Sequence, residues 1–99
     1  MYMSRDIMHC KPGKVKDLVE RFKKLSSIMT SMGFPQMRIY TDVSGEPYWT
    51  VVSEQEVERL DDFAEMAHQI SSHKDFSQAM AGYHDLVVDG RRELYRLEQ

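Results

Sequence analysis

Apolar residues in the first third of the chain follow a strand pattern and then a helical one. Residues 2–10 show the mixed alternation of a strand, and Lys11-Pro12-Gly13 ends it because proline donates no ladder hydrogen bond. Apolar residues then recur at steps of three and four, which predicts a helix over about 13–32. Gly33 stands where a C-terminal cap belongs, and Pro35 cannot continue the helix.

The middle of the chain predicts two further strands. Gln36–Asp42 alternates in polarity, and Tyr48–Ser53 is aromatic and β-branched. The segment that joins them, Val43–Pro47, is short and contains a glycine. A parallel crossover needs about a dozen residues or more, so these two strands are expected to form a hairpin.

Helical spacing returns after the third strand, in two segments. Apolar residues recur from Val57 to Ile70, Ser71-Ser72 interrupts the pattern, and a second apolar stripe runs from Phe76 to Val87. Asp89-Gly90 ends the second segment. The last predicted strand is Arg91–Leu97.

The order β-α-β-β-α(α)-β predicts one α+β domain over residues 1–99 with a ferredoxin-like fold. In this fold a four-stranded antiparallel sheet carries all its helices on one face, because the crossovers are right-handed. The helix over 13–32 is basic and residues 54–65 are acidic, so the first two helices are expected to lie side by side. Exposed ion pairs contribute ~0–1 kcal/mol each. A solvated helix face explains the basic residues better than a phosphate site does.

The sheet face away from the helices is expected to be hidden from water. A solvated face alternates cleanly to polar residues. Both parities of the strand over 48–53 are instead apolar or aromatic, and so are both parities of the strand over 2–10. A contiguous exposed apolar patch marks an interaction surface. We therefore expect a homodimer in which a second copy covers this face through a two-fold axis.

Composition excludes several classes of function. A net charge of −3 over 99 residues leaves no basic excess to neutralise phosphates, which argues against nucleic-acid binding. No apolar run approaches the ~20 residues that span a bilayer, and no signal-peptide core follows Met1. A cytoplasmic location without membrane partners is therefore expected. Cys10 is the only cysteine, so no disulfide can form within the chain.

Three segments together carry a resemblance to a known superfamily. They are Lys11-Pro12-Gly13-Lys14 at the end of the first strand, the aromatic strand Tyr48–Val52 before an acidic helix, and the final segment Gly90–Tyr95. Across nearly the whole chain the pattern resembles the dimeric α/β-barrel superfamily. That superfamily includes antibiotic-biosynthesis-monooxygenase-like proteins, haem-degrading monooxygenases and NIPSNAP-like proteins. The resemblance implies a dimer whose sheets form a barrel, with a small apolar pocket between helices and sheet, and it implies no particular reaction.

Two histidines are the candidate catalytic residues. If the last helical segment is continuous, His73 and His84 lie on one face of it, about 16 Å apart along its axis. This distance is too long for both to bind one metal ion, so no metal site is predicted. One of them would face the pocket as an acid/base or a haem ligand. The alternative is a partly exposed histidine at each end of a core stripe.

No cofactor is firmly implied. Haem is the one that the resemblance offers, since its haem-degrading branch pairs a helical histidine with an asparagine on the first strand and a tryptophan at the following helix. Here the first strand offers Asp6, and Trp49 lies on the predicted third strand. These departures argue against haem degradation.

Arg38 and Tyr40, with Trp49 or its neighbour Tyr48, are the candidate ligand-pocket residues, and Tyr83 on the last apolar stripe completes the set. A guanidinium fork and flat rings would hold a small acidic or aromatic ligand inside the barrel.

Structural roles are the alternatives for two of the reactive side chains. Arg38 would instead pair with Asp6 or Glu93 at the dimer seam, because arginine is enriched in interfaces. Cys10 is interpreted as a structural thiol, because His9 beside it on a strand points to the opposite face and cannot activate it.

The predicted protein is a small homodimeric α/β barrel of unassigned activity, for which three hypotheses stand. The first is a monooxygenase-like enzyme, cofactor-independent or haem-using, acting on an aromatic small molecule. The second is a non-catalytic binding or sensing module that uses the same pocket. The third is a purely structural dimer.

Overall fold

Four strands and three helices follow in the order β-α-β-β-α-α-β in the computed structural model, which describes all residues from Met1 to Gln99. The strands are β1 (Tyr2–Cys10), β2 (Arg38–Thr41), β3 (Thr50–Val57) and β4 (Val87–Arg96). The helices are α1 (Val15–Ser31), α2 (Asp61–Ser71) and α3 (Phe76–Ala79), and a 3₁₀ turn at Tyr83–Asp85 precedes β4. All strand pairs are antiparallel in the order β2-β3-β1-β4. This is the ferredoxin-like α+β fold that the sequence predicts.

The helices cover one face of the sheet only. The buried core joins one side of each helix to the helix-facing side of the sheet, and its largest fully buried apolar side chains are Leu18, Met29 and Val51. The molecule measures 36 × 35 × 17 Å, and its shortest dimension corresponds to one layer of helices packed on one sheet. We call the other side of the sheet the open face. None of the helices is both long enough and apolar enough to cross a membrane.

The first helix ends as predicted. Gly33 has a φ of +87°, a left-handed conformation that glycine adopts without steric cost. The N–H of Phe34 donates to the carbonyl of Met29, and the N–H of Gly33 donates to that of Thr30, both at 3.0 Å. These are the two hydrogen bonds of a Schellman motif. The predictions for β1 and α1 are therefore confirmed.

The third strand lies later in the chain than predicted. Trp49 precedes it with a φ of +70°, which extended backbone does not allow. Glu54 and Glu56, assigned above to an acidic helical region, belong to β3, where they are two residues apart and therefore on the same face of the sheet. The acidic stretch is thus divided between a strand and α2, and no ion pair joins α1 to α2.

The last helical segment is shorter than predicted and the last strand is longer. Only Phe76–Ala79 is α-helical, and the apolar stripe continues through a turn into the start of β4. Asp89 and Gly90, expected to end a helix, lie inside β4 opposite His9 and Met8. A Cβ at position 90 would lie 2.7 Å from Met8 Sδ, so the glycine permits close packing of β4 on β1.

Candidate functional site

The open face presents its side chains in rows that run across the strands. One row is Tyr40, Val52, Ile7 and Arg91, taken from β2 through β3 and β1 to β4. The adjacent row is Arg38, Glu54, Arg5 and Glu93, so the charges alternate in sign. On the far side of this charged row, Met3 lies between Glu56 and Tyr95. The open face is therefore apolar only in part, because β3 alternates to glutamate after Val52.

Glu54 is the centre of the charged row. Its side chain is only 11% exposed, and its Oε2 lies 2.8 Å from both Nε and Nη2 of Arg5. The hydroxyl of Tyr40 donates to Oε1 at 2.9 Å, and Arg38 Nε lies 3.4 Å from the same oxygen. Burial opposes ionisation of this carboxyl, but the hydrogen bonds from Arg5 and Tyr40 outweigh it, so the pKa of Glu54 lies below its ordinary value.

Arg5 continues the network towards β4. Its Nη1 lies 3.4 Å from Glu93 Oε1, and its guanidinium carbon lies 5.4 Å from the centre of the Tyr95 ring, within range of a cation–π contact. The hydrogen bond to Glu54 is the main reason that the pKa of Arg5 is raised. Arg5 is therefore a fixed part of the face.

Within the chain, Arg38 pairs with neither Asp6 nor Glu93, and such a pair across a dimer seam stays a prediction. Arg38 pairs with Glu54 and with Glu56, at 3.2 Å from the latter. Asp6 lies on the helix side of the sheet and pairs with Arg92 at 2.7 Å. Cross-strand register decides all three pairs, because each joins directly opposed or diagonal residues of neighbouring strands.

A depression of about 530 Å³ lies over the first row, and we call it the sheet-face pocket. Ile7 and Val52 form its apolar floor. Its lining consists of Arg5, Ile7, Tyr40, Ser44, Gly45, Glu46, Val52, Glu54, Arg91, Glu93 and Tyr95. The pocket is thus on the open face and is rimmed by charges, whereas the resemblance implies an apolar pocket between helices and sheet.

His9 lies between two carboxylates, one of which, Glu46, lines this pocket. Its Nε2 is 3.1 Å from Glu46 Oε1, and its Nδ1 is 2.5 Å from Asp89 Oδ1. Arg91 Nη1 also reaches Glu46, at 3.3 Å. The hydrogen bond with Glu46, followed by that with Asp89, raises the pKa of His9, and the same contact with His9 lowers the pKa of Glu46.

Sequence reasoning considered His9 only as a neighbour of Cys10. The signal that would have placed it on the site is strand parity, since His9 shares a face with Arg5 and Ile7 on β1. The same parity argument, applied from Val52 onwards, would have placed Glu54 on that face.

The predicted ligand-pocket residues do not converge on one cavity. Tyr40 lines the sheet-face pocket, and Arg38 lies in the adjacent charged row. Trp49 and Tyr48 line a separate surface recess of about 520 Å³, which we call the Trp49 recess. Tyr83 is half-buried and packs against the core on the helix side of the sheet.

The two histidines predicted to be catalytic lie outside these cavities. His73 Nδ1 accepts the backbone N–H of Asp75 at 3.1 Å, a local contact just before α3. His84 is exposed, and its ring centre lies 4.3 Å from that of Tyr83. A continuous helix does not join them, and neither lines the sheet-face pocket or the Trp49 recess. Neither position supports the haem hypothesis, which stays a prediction.

Cys10 is a buried thiol at the end of β1, 5% exposed. Its backbone N–H donates to the carbonyl of Trp49 at 2.8 Å. Burial, with a smaller contribution from Asp42, raises the pKa of the thiol, so the nucleophilic thiolate is disfavoured. The arrangement supports the structural interpretation of this residue.

Solved structures show the same fold at low sequence identity, whereas no protein-family profile and no curated protein sequence matches the chain. A NIPSNAP-like domain protein from Burkholderia xenovorans superposes with a TM-score of 0.81 at 14% identity, over 98% of this chain and 85% of its own. A NIPSNAP family protein from Agrobacterium tumefaciens, Atu5224, gives a TM-score of 0.82 at 14% identity, over 96% and 90% of the two chains.

An antibiotic biosynthesis monooxygenase is similar over the full length of both chains, with a TM-score of 0.73 at 11% identity. At such identities the likeness establishes the fold alone. The chain therefore shares the ferredoxin-like fold of NIPSNAP-like proteins and antibiotic biosynthesis monooxygenases, and this confirms the resemblance at the level of fold.

Proposed function

We propose that this chain binds a small, uncharged aromatic molecule in the sheet-face pocket. The observation that carries the proposal is that the pocket joins an apolar floor to a rim whose charges are already paired. Arg5 is held by Glu54 and Glu93, and Arg91 by Glu46. A charged ligand would have to break one of these pairs.

The floor and the size of the pocket favour a flat ligand. Ile7 and Val52 offer an apolar surface between the rings of Tyr40 and Tyr95. Its volume of about 530 Å³ lies within the ~300–1,000 Å³ range of small-molecule sites. A ring that carries a hydroxyl group would rest on the floor and hydrogen-bond to the rim without a net charge.

Paired ligands test this proposal. We expect 2-naphthol to bind measurably by calorimetry and the saturated alcohol 2-decalol to bind several-fold more weakly, since an aromatic pair contributes about 0.5–1.5 kcal/mol beyond burial. Tyr40→Leu should weaken 2-naphthol binding, whereas Tyr48→Leu should not, because Tyr48 is 85% exposed and lies outside the pocket. Equal affinity for the two ligands, or equal effects of the two substitutions, would overturn the proposal.

A homodimer is proposed as well, formed along β4 and not over the sheet-face pocket. Because the open face is charged, support for a dimer comes from β4 instead. The outer edge of β4 is unpaired, and Leu94, Tyr95 and Leu97 near its end are 54%, 46% and 53% exposed. Sedimentation at micromolar concentration should give twice the chain mass, and Leu94→Asp should reduce it to one. A wild-type species of one chain mass would remove the dimer.

Monooxygenase-like turnover of the bound aromatic is the second candidate function, supported by the shared fold with an antibiotic biosynthesis monooxygenase. Without a cofactor, one atom of O₂ would be added to an electron-rich aromatic diol and the other released as water. The diol would supply the electrons, so the product would gain one oxygen and lose two hydrogens.

Oxygen uptake distinguishes this reaction from simple binding. With 1,4-dihydroxynaphthalene, uptake should exceed spontaneous oxidation and should fall in Tyr40→Leu but not in Tyr48→Leu. Binding without added uptake would leave the chain as a binding or sensing module.

A further inference from the structure

The loop between β2 and β3 forms one wall of the sheet-face pocket. Ser44, Gly45 and Glu46 of this loop line the pocket. The neighbouring Val43 is 96% exposed, and Gly45 has a φ of +101°. The Val43 side chain therefore does not pack on the sheet and adds nothing to the attachment of the loop.

Glu46 is the side chain that fastens this wall to the sheet. Its carboxylate reaches across the open face to His9 on β1 and Arg91 on β4, at 3.1 and 3.3 Å. The base of the loop is fixed separately, since Asp42 Oδ1 accepts the N–H of Thr50 at 2.8 Å. The Thr50 hydroxyl also donates to the carbonyl of Pro47, at 2.6 Å. Residues 43–46 therefore lie between two fixed ends, and Glu46 supplies their side-chain contacts with β1 and β4.

His9 is the member of this contact that titrates near neutrality. Each of its ring nitrogens faces a carboxylate, Glu46 from the loop and Asp89 from β4. Thr50, opposite His9 on β3, is uncharged, and Arg91 approaches through Glu46. A protonated imidazolium donates to both carboxylates, whereas neutral imidazole donates to only one.

Loss of the proton releases the loop rather than the strand. Asp89 is opposite His9 in the β-ladder and is the closer acceptor, at 2.5 Å against 3.1 Å for Glu46. The remaining proton therefore stays on Nδ1, and Nε2 then presents its lone pair to the Glu46 carboxylate. Glu46 retains only its contact with Arg91.

We propose that the β2–β3 loop is a proton-controlled lid on the sheet-face pocket, latched by Glu46 while His9 is protonated and released when His9 loses its proton. The two carboxylates raise the pKa of His9 above its ordinary value of 6.5, so the latch persists above pH 6.5 and opens as the pH rises through the raised value. The consequence for ligand entry rests on the proposed function. The movement of the lid requires no ligand.

Trp49, the only tryptophan, follows the loop and reports its position. Between about pH 5 and 9 we expect one fluorescence transition with a midpoint above 6.5, matching the NMR titration of the His9 ring. Closing is coupled to the uptake of one proton, so the closing equilibrium should fall by at most about tenfold for each pH unit across that transition. His9→Gln and Glu46→Gln should abolish the transition. His68→Gln, the same change at an exposed histidine of α2, should leave it intact.

A flat fluorescence profile, or the same transition in His9→Gln, would overturn the lid. Affinity for 2-naphthol, measured at both ends of the pH range, separates this proposal from the previous one. Binding without a loop transition removes the lid and keeps the pocket assignment. A loop transition without binding keeps the lid and removes the pocket assignment.

Discussion

The alternating row of charges on the open face predicts that Arg5 is a costly arginine to remove. Arg5→Met keeps the length of the aliphatic stem but leaves the nearly buried Glu54 carboxylate without its two contacts of 2.8 Å. The Tyr40 hydroxyl and Arg38, at 2.9 and 3.4 Å, remain. Breaking a fully buried pair costs about 3–5 kcal/mol and an exposed one about 0–1 kcal/mol. Since Arg5 is one-third exposed, we expect a loss of about 2–3 kcal/mol.

Urea unfolding, followed by circular dichroism at one protein concentration, measures this loss. With a slope of about 1–3 kcal/mol/M, the midpoint should fall by about 0.7–3 M at pH 7. The control is Arg92→Met, which removes the 2.7 Å pair with Asp6 from an arginine that is 68% exposed. That change should cost about 0–1 kcal/mol.

The pH dependence identifies Glu54 as the cause. Because the pKa of Glu54 is lowered in the folded chain, its ionisation stabilises the fold above its ordinary value of 4.5 and ceases to do so as the pH falls through the lowered value. The deficit of Arg5→Met should therefore be largest at pH 7 and should shrink towards pH 3. A deficit no larger than that of Arg92→Met, or one that is equal at both pH values, would refute this reasoning.

Three further outcomes follow from the described contacts. Gly90→Ala should cost about 1–3 kcal/mol in urea unfolding, because the added Cβ would lie 3.0 Å from the Ile7 carbonyl oxygen; an unchanged midpoint would contradict the close packing of β4 on β1. Cys10 should react with iodoacetamide at least about tenfold more slowly in the folded chain than in denaturant, since the thiol is buried and its pKa is raised; equal rates would show an accessible thiolate. Haemin should give no Soret shift that is lost in His73→Ala or His84→Ala, because neither histidine faces a described cavity; such a shift would restore the haem hypothesis.

The elements with one strong local pattern were predictable. The strand over 2–10 is indicated by an alternation of side chains that ends before Pro12. The first helix is indicated by a stripe of apolar residues that ends at Gly33, the glycine of the Schellman motif. The end of β3 was not predictable. Glutamate favours a helix in a local sequence pattern, whereas Glu54 and Glu56 lie in a strand in which arginines of the neighbouring strands pair with them. The apolar stripe from Phe76 to Val87 predicted one helix for a related reason. A short helix, a turn and the start of β4 follow one another there, and each of them turns apolar side chains towards the core.

The candidate site was predictable only where it lay on one strand. Arg38 and Tyr40, named together as candidate pocket residues, lie on one face of β2. The contact between His9 and Glu46 joins positions 37 apart and depends on how a loop folds over the sheet. Short-range spacing carries no information of that kind, so His73 and His84 drew attention instead.

The position of the binding site is decided by mapping the backbone amide NMR shifts that 2-naphthol changes. If the ligand lies on the open face, the largest changes occur at Ile7, Val52 and Tyr40, which line the sheet-face pocket. The largest changes at Leu18, Phe22 and Tyr83, which pack between the helices and the sheet, would contradict the account.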